Sequence, residues 1–205
     1  MRLAILFLRT RRAGWSVLAM AGTVGAAAGL RAMFLGLWEQ DFLTSATGAP
    51  IPVVSVFLPL ALALLVGGSI QEPFGEVERT ASRPLPPLRL AHAVGLILVG
   101  AAMLVLLALT WEAGNVWGLF LRNLAGFAGL ALLAAPVLGG RLAWLVPLGF
   151  GMIVMWLGDT NDPEQWAWPL APAHDGFGAT VVLAVVLGGL AAASVLGGRD
   201  SPGEV

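Results

Sequence analysis

Residues Gln71 to His92 read QEPFGEVERTASRPLPPLRLAH, the one long polar interruption in an otherwise apolar chain. The stretch holds three arginines (Arg79, Arg83, Arg89), three glutamates (Glu72, Glu76, Glu78) and four of the thirteen prolines. On both sides the sequence runs into apolar segments that match the ~20 residues a helix needs to cross ~30 Å of hydrocarbon. A polar insert between two such segments belongs in water. The side of the membrane on which it lies sets the topology of the whole chain.

Composition points the same way. The chain of 205 residues is 58% hydrophobic and only 11% charged, with a mean hydropathy of +0.87. A soluble domain carries about 25% charged residues, so this is the composition of a bilayer protein. The net charge is −1, and no basic field suited to nucleic acid is present. There is no cysteine, which removes disulfides, thiolate metal sites and cysteine nucleophiles. All eleven basic residues are arginine. Without lysine there is neither a nucleotide-binding P-loop nor a Schiff-base site. The expectation is a chain that is not itself an enzyme and that carries no cofactor or metal. Its arginine-only, Ala/Gly/Leu/Val-rich bias is that of a GC-rich bacterial genome.

Six apolar segments can be read in order: about Trp15 to Leu37, Ile51 to Ile70, Ala91 to Leu109, Trp117 to Leu138, Leu142 to Leu157 and Ala179 to Leu196. The predicted fold class is therefore an all-α integral membrane protein of six transmembrane helices. Residues 1–198 form a single domain and 199–205 a short tail. The fifth segment, of about 16 residues, is near the lower limit for spanning and contains Pro147, Gly149 and Gly151. Residues 1–12 alternate apolar and basic. They read either as an interfacial helix with Arg2 and Arg9 on one face or as a basic flank that orients the first span. Thr10-Arg11-Arg12 has the look of a twin-arginine export signal, but the long span that follows and five further apolar segments argue against a removed leader.

Arginine orients the bundle. With a cytoplasmic N-terminus and six spans, Arg2, Arg9, Arg11, Arg12, Arg79, Arg83, Arg89, Arg141 and Arg199 all fall inside, nine of the eleven. The outer loops then hold Glu39, Asp41, Glu112, Asp159, Asp162, Glu164 and Asp175. This asymmetry follows the positive-inside rule and puts both termini and the 71–90 loop in the cytoplasm. Arg31 and Arg122 lie within or beside spans, where snorkelling toward the headgroups is the expected accommodation.

The central loop has a pattern beyond charge. Glu72-Pro-Phe-Gly75-Glu-Val-Glu78 is followed by Pro84, Arg89 and the third span. This resembles the cytoplasmic loop of type-2 ABC-transporter permeases, in which a Glu/Gly-Thr-Leu-Glu stretch precedes a proline and the next membrane helix. Gly75, Glu78 and Pro84 fall on that pattern, whereas Glu76 stands where threonine is usual and Pro86-Pro87 are additional. The resemblance implies that Glu72, Gly75, Glu78, Arg79, Arg83, Pro84 and Arg89 contact a separate ATPase subunit. It also implies a second permease subunit, and short helices dipping back into the membrane between the fifth and sixth spans, here in the 158–178 loop. Direction and substrate are left open by it. The scarcity of buried acids favours an amphipathic or lipid-like substrate over an ion.

Other readings stand beside these. The 71–90 loop also reads as a solvated, partnerless loop, and the 158–178 loop as an acidic segment anchored by tryptophans. In the latter, Asp162-Pro163-Glu164 has the pattern of a helix start, and Trp166, Trp168 and Leu170 are candidates to enter the outer leaflet. Gly25, Gly29, Gly126 and Gly129 are candidates for close helix packing. His92 and His174 fall on opposite expected sides and share no site. A membrane scaffold without transport activity is the alternative function. An intramembrane enzyme is disfavoured because no Ser–His, Asp–Asp or metal-binding set occupies the spans.

Overall fold

The computed structural model describes residues 13–35, 52–69, 85–110, 116–158, 165–172 and 175–196. These residues are all-helical, with six α-helices: α1 Ala13–Leu35, α2 Pro52–Gly68, α3 Leu85–Thr110, α4 Val116–Leu138, α5 Leu145–Leu157 and α6 Gly176–Leu196. One 3-10 turn, Gln165–Ala167, lies between α5 and α6. Residues 1–12, the tail 199–205 and the Asp162-Pro163-Glu164 helix start lie outside the described residues. Among the described residues, three helices are long and apolar enough to cross a membrane: Leu88–Thr110 in α3, Trp117–Leu138 in α4 and Gly176–Val195 in α6.

Ahead of α6, two boundaries differ from the sequence reading by more than two residues. Helix α3 starts at Leu85 rather than near Ala91, so the last residues of the expected 71–90 loop, Arg89 among them, are helical. Pro86 and Pro87 tolerate this because they occupy the first turn, where backbone amides have no intrahelical acceptor to lose. Helix α5 has only 13 residues, about 20 Å at 1.5 Å per residue, because residues 141–144 form turns instead of helix. Gly139, with φ 81°, ends α4 in the left-handed conformation that glycine adopts without steric cost. The amide of Leu142 then donates to the Gly139 carbonyl at 3.2 Å, and that of Leu145 to the Leu142 carbonyl at 3.0 Å.

Helix α4 is the axis of the bundle. It packs against α2, α3, α5 and α6, while α1 lies at the edge against α2 and α3. The burial of the three long spans follows: 67% of the α4 window is buried inside the protein, against 33% for α3 and 22% for α6. The core is continuous, with Leu60 and Leu62 of α2, Leu104 of α3, and Phe120, Leu124 and Phe127 of α4 all essentially inaccessible.

The α4–α6 crossing depends on the absence of side chains. A Cβ on Gly129 would lie 2.9 Å from the backbone of Val185 and Val186, and one on Gly189 would lie 2.5 Å from the Gly129 carbonyl oxygen. Small residues let helix backbones approach closely, which in hydrocarbon supplies much of the packing energy. Gly25 and Gly29 are placed differently: both are exposed, and a Cβ on either meets nothing within 4 Å among the described residues. Gly129→Ala should therefore destabilise the bundle by about 1–3 kcal/mol, the cost of overpacking. Gly25→Ala should be neutral or stabilising through helix propensity. Thermal denaturation midpoints in mild detergent check both.

Candidate functional site: a segment folded back onto the fourth helix

Proline inside a helix removes one amide donor and so frees the carbonyl four residues earlier. Pro59 lies inside α2, and the carbonyl it cannot serve is that of Ser55. That carbonyl instead accepts a hydrogen bond from Asn123 Nδ2 of α4 at 2.9 Å. The same nitrogen donates to the Pro169 carbonyl at 3.0 Å. Both amide hydrogens of the side chain are thus used, one on each of two chain segments. Asn123 is fully buried.

Arg122, the preceding residue, acts in parallel. Its Nη1 donates to the Pro172 carbonyl and its Nη2 to the Ala171 carbonyl, each at 2.6 Å. The planar guanidinium fork suits two adjacent acceptors, and charge-assisted bonds are the stronger kind. Arg122 is buried, so the expectation that it snorkels to the headgroups is overturned. The carbonyls of the returning chain solvate it inside the protein.

Below this polar pair, aromatic packing completes the attachment. The Trp168 ring lies 5.5 Å from Phe127 of α4 and 5.7 Å from Phe150 of α5, the latter stacked at 25°. Phe127 and Phe150 meet edge-on at 6.4 Å. Gly126 makes room, since a Cβ there would collide with the indole of Trp168. Arg122, Asn123, Gly126 and Phe127 are spaced i, i+1, i+4, i+5, which is one face of α4. That face receives the segment 165–172, whose Ala167, Trp168 and Ala171 are buried. Trp168 therefore belongs to the protein interior and not to the lipid, whereas Trp166 remains 38% exposed.

Asp175 closes the segment. Its Oδ2 accepts from the Gly178 amide at 2.7 Å and its Oδ1 from the Phe177 amide at 3.4 Å. The carboxylate caps α6 at the end where a negative charge is favoured. It is also the charge that attracts Arg122. Helix α6 consequently begins at Gly176, earlier than the Ala179 expected from hydropathy.

One further feature lies beside the folded-back segment. Helices α5 and α6 both pack on α4 but scarcely on each other, which leaves an open-sided groove of about 850 Å³. Phe177, Val181 and Val185 of α6 form one wall and Phe150 of α5 the other. Leu130 of α4 forms the floor, and Trp166 and Trp168 stand at the end where α6 begins.

The residues singled out from sequence distribute unevenly. Gly126 and Gly129 lie at close contacts of α4 and Gly25 and Gly29 do not. Arg89, half-buried, and His92, buried, lie on α3. Glu72, Gly75, Glu78, Arg79, Arg83, Pro84 and His174 lie outside the described residues. Among the described residues, no group of three or more His, Asp or Glu side chains is placed to hold a metal ion. Asn123 is the residue that sequence reasoning missed. The signal was present as adjacent Arg122-Asn123 inside an apolar span, where each polar side chain requires a purpose. No family model, curated protein or solved structure matches the chain.

A double-mutant cycle tests the proline–asparagine pairing. Asn123→Leu should destabilise by about 1–3 kcal/mol for each buried carbonyl left without a donor. In a Pro59→Ala background, the new amide at position 59 serves Ser55. The same Asn123→Leu change should then cost less, with a coupling of about 1 kcal/mol. Equal costs in the two backgrounds, measured by denaturation in detergent, would show that Asn123 does not replace the missing amide.

Proposed function

We propose that the chain is the membrane-spanning permease subunit of an ATP-driven ABC transporter, an exporter of an amphipathic or lipid-like substrate. Six spans, both termini in the cytoplasm and a bacterial cytoplasmic membrane complete the reading. ATP is hydrolysed by a separate subunit that docks on the 71–90 loop, and a second permease subunit completes the pathway. The observation that carries this reading is the segment 165–172 seated against α4 by Arg122, Asn123 and Trp168. The resembled permeases carry a returning segment at the same point, between the fifth and sixth spans, closing the exterior end of the pathway. The short α5 fits such an arrangement, because about 20 Å of helix leaves part of a ~30 Å hydrocarbon layer for the returning chain to fill.

The mechanism follows from the resemblance. Closure of the ATPase dimer on nucleotide moves the loop between the second and third spans, and the bundle switches between inward- and outward-facing states. Glu72, Glu78, Arg79 and Arg83 present charges of both signs, which fix the orientation of docking and reject wrong partners.

Two experiments test this. The chain has no native cysteine, so Ser82→Cys gives a single reporter. A membrane-impermeant thiol reagent should leave it unlabelled in intact cells and label it after permeabilisation. Labelling in intact cells would reverse the topology and end the docking role. Second, Arg79→Glu with Arg83→Glu should release a P-loop ATPase that co-purifies with the parent chain in mild detergent, with membrane insertion unchanged. Undiminished co-purification counts against the loop as the docking site, and a complex without any nucleotide-binding subunit favours a scaffold.

A further inference from the structure

We propose that the end of the bundle at which α4 begins is stepped, and that the bilayer thins over its low side. Helix α5 and the start of α6 are then surrounded by lipids with short acyl chains. The inference goes beyond the permease reading and rests only on its membrane placement. Height at this end can be read along α4. Trp117, at its start, is exposed. Arg122 lies five residues further in, about 7–8 Å at 1.5 Å per residue, and the residues between them are apolar. On the α3 side the apolar surface reaches the full height. Helices α3 and α4 pack together and are separated only by residues 111–115, and Leu106 and Leu109, near the end of α3, are exposed.

The other side stops lower. Phe150 of α5 meets Phe127 of α4, which brings these two residues to one level. Trp156, 88% exposed, is six residues beyond Phe150, about 9 Å. Trp117 is ten residues beyond Phe127, about 15 Å. The two exposed tryptophans therefore differ in height by about 6 Å. The returning segment gives the same level independently, since Arg122 and Asn123 hold the carbonyls of Pro169, Ala171 and Pro172. Helix α6 also begins there: the position of a Cβ on Gly178 is 2.7 Å from Asp175 Oδ2 and 3.7 Å from Arg122 Nη1.

These groups set where the headgroups must come. Tryptophan prefers the headgroup level, and irregular backbone cannot face acyl chains. Residues 165–172 rest on α4 with one side, while Trp166 and Pro172 are exposed. A flat bilayer matched to α3, whose apolar window of 23 residues is about 34 Å long, would submerge both this segment and Trp156. A short apolar surface is accommodated by thinning of the lipid around it, and thinning by about 6–8 Å brings headgroups to both.

The test uses the full chain in vesicles of equimolar dimyristoleoyl- and dioleoyl-phosphatidylcholine, with one or the other lipid brominated. The chain has no cysteine, so Met152→Cys on α5 and Leu106→Cys on α3, both exposed positions, each carry a single bimane label. Quenching at position 152 should report the short-chain lipid at about twofold or more above its bulk share. Quenching at position 106 should report the bulk share. Bulk proportions at both positions, or equal enrichment at both, overturn the proposal. A label at 152 that neither lipid quenches, with 106 quenched, means that protein covers α5 and overturns it too. If Met152→Cys elutes as an aggregate, Ile153→Cys replaces it with the same expectation. Nitroxides at Leu157→Cys and Leu109→Cys, equally exposed in α5 and α3, supply the depth. Their collision rates with a water-soluble nickel chelate should be the same, and a markedly lower rate at position 157 shows a flat bilayer and sinks the step. Both readouts use the chain without an ATPase, so their failure leaves recruitment untouched and failed recruitment leaves them untouched. Only a chain unquenched at both 152 and 106, which lies outside the bilayer, removes the permease reading as well.

Discussion

Pro59 leaves the Ser55 carbonyl without its helical donor, and the side-chain amide of Asn123 takes the missing place. In water such a gap is filled by solvent at little cost. Among apolar helices there is no solvent, and an unmade backbone hydrogen bond costs several kcal/mol. The proline in α2 and the asparagine in α4 are therefore one structural unit. With one hydrogen on the Ser55 carbonyl, the Asn123 amide points its second at the chain returning between α5 and α6. A local defect in one helix thereby fixes where a distant segment is held.

The rest of the architecture is read along α4 from that point. Arg122 and Asn123 bind carbonyls of residues 169–172. One turn further, Gly126 and Phe127 receive the Trp168 ring. Beyond them, Gly129 admits the backbone of α6. Polar, aromatic and small-residue contacts follow one another in that order down a single helix. The attachment is made mainly through backbone acceptors, so Ala171 and Pro172 contribute through position and not through side-chain chemistry. Trp168 is the exception, since its indole fills the space that Gly126 leaves.

Hydropathy made the apolar helical class and the approximate segments legible, because it is a local property of the chain. The helix ends were less so. Leu85-Pro86-Pro87 looks like loop until it is recognised that prolines are harmless in a first turn. Asp175 beside Gly176 has the pattern of a cap, but the glycine-rich start of α6 hides it. The pairing of Asn123 with Ser55 joins residues 68 apart in sequence, and nothing local encodes such a distance. Pro59 marked a freed carbonyl and Asn123 marked a buried donor. Only the packing of α2 on α4 brings the two marks together. Arg122 was misjudged because a position near a span end ordinarily permits snorkelling, and the folded-back carbonyls that remove the need for it come from residues 49 and 50 further on.

The shared amide has a mechanical consequence. Asn123 holds α2 and the returning segment through two hydrogens on one nitrogen, so neither bond changes without disturbing the other. If α2 slides along α4, the Ser55 carbonyl leaves its donor, or the asparagine follows it and gives up Pro169. Packed interfaces of this kind have discrete arrangements and do not deform continuously. On the permease reading, α2 is the helix that runs directly into the cytoplasmic docking loop, while residues 165–172 close the opposite end. A buried amide serving both is a short physical route by which displacement at one end must be felt at the other. Arg122, gripping Ala171 and Pro172 independently, would keep the closing segment seated while the asparagine changes partner.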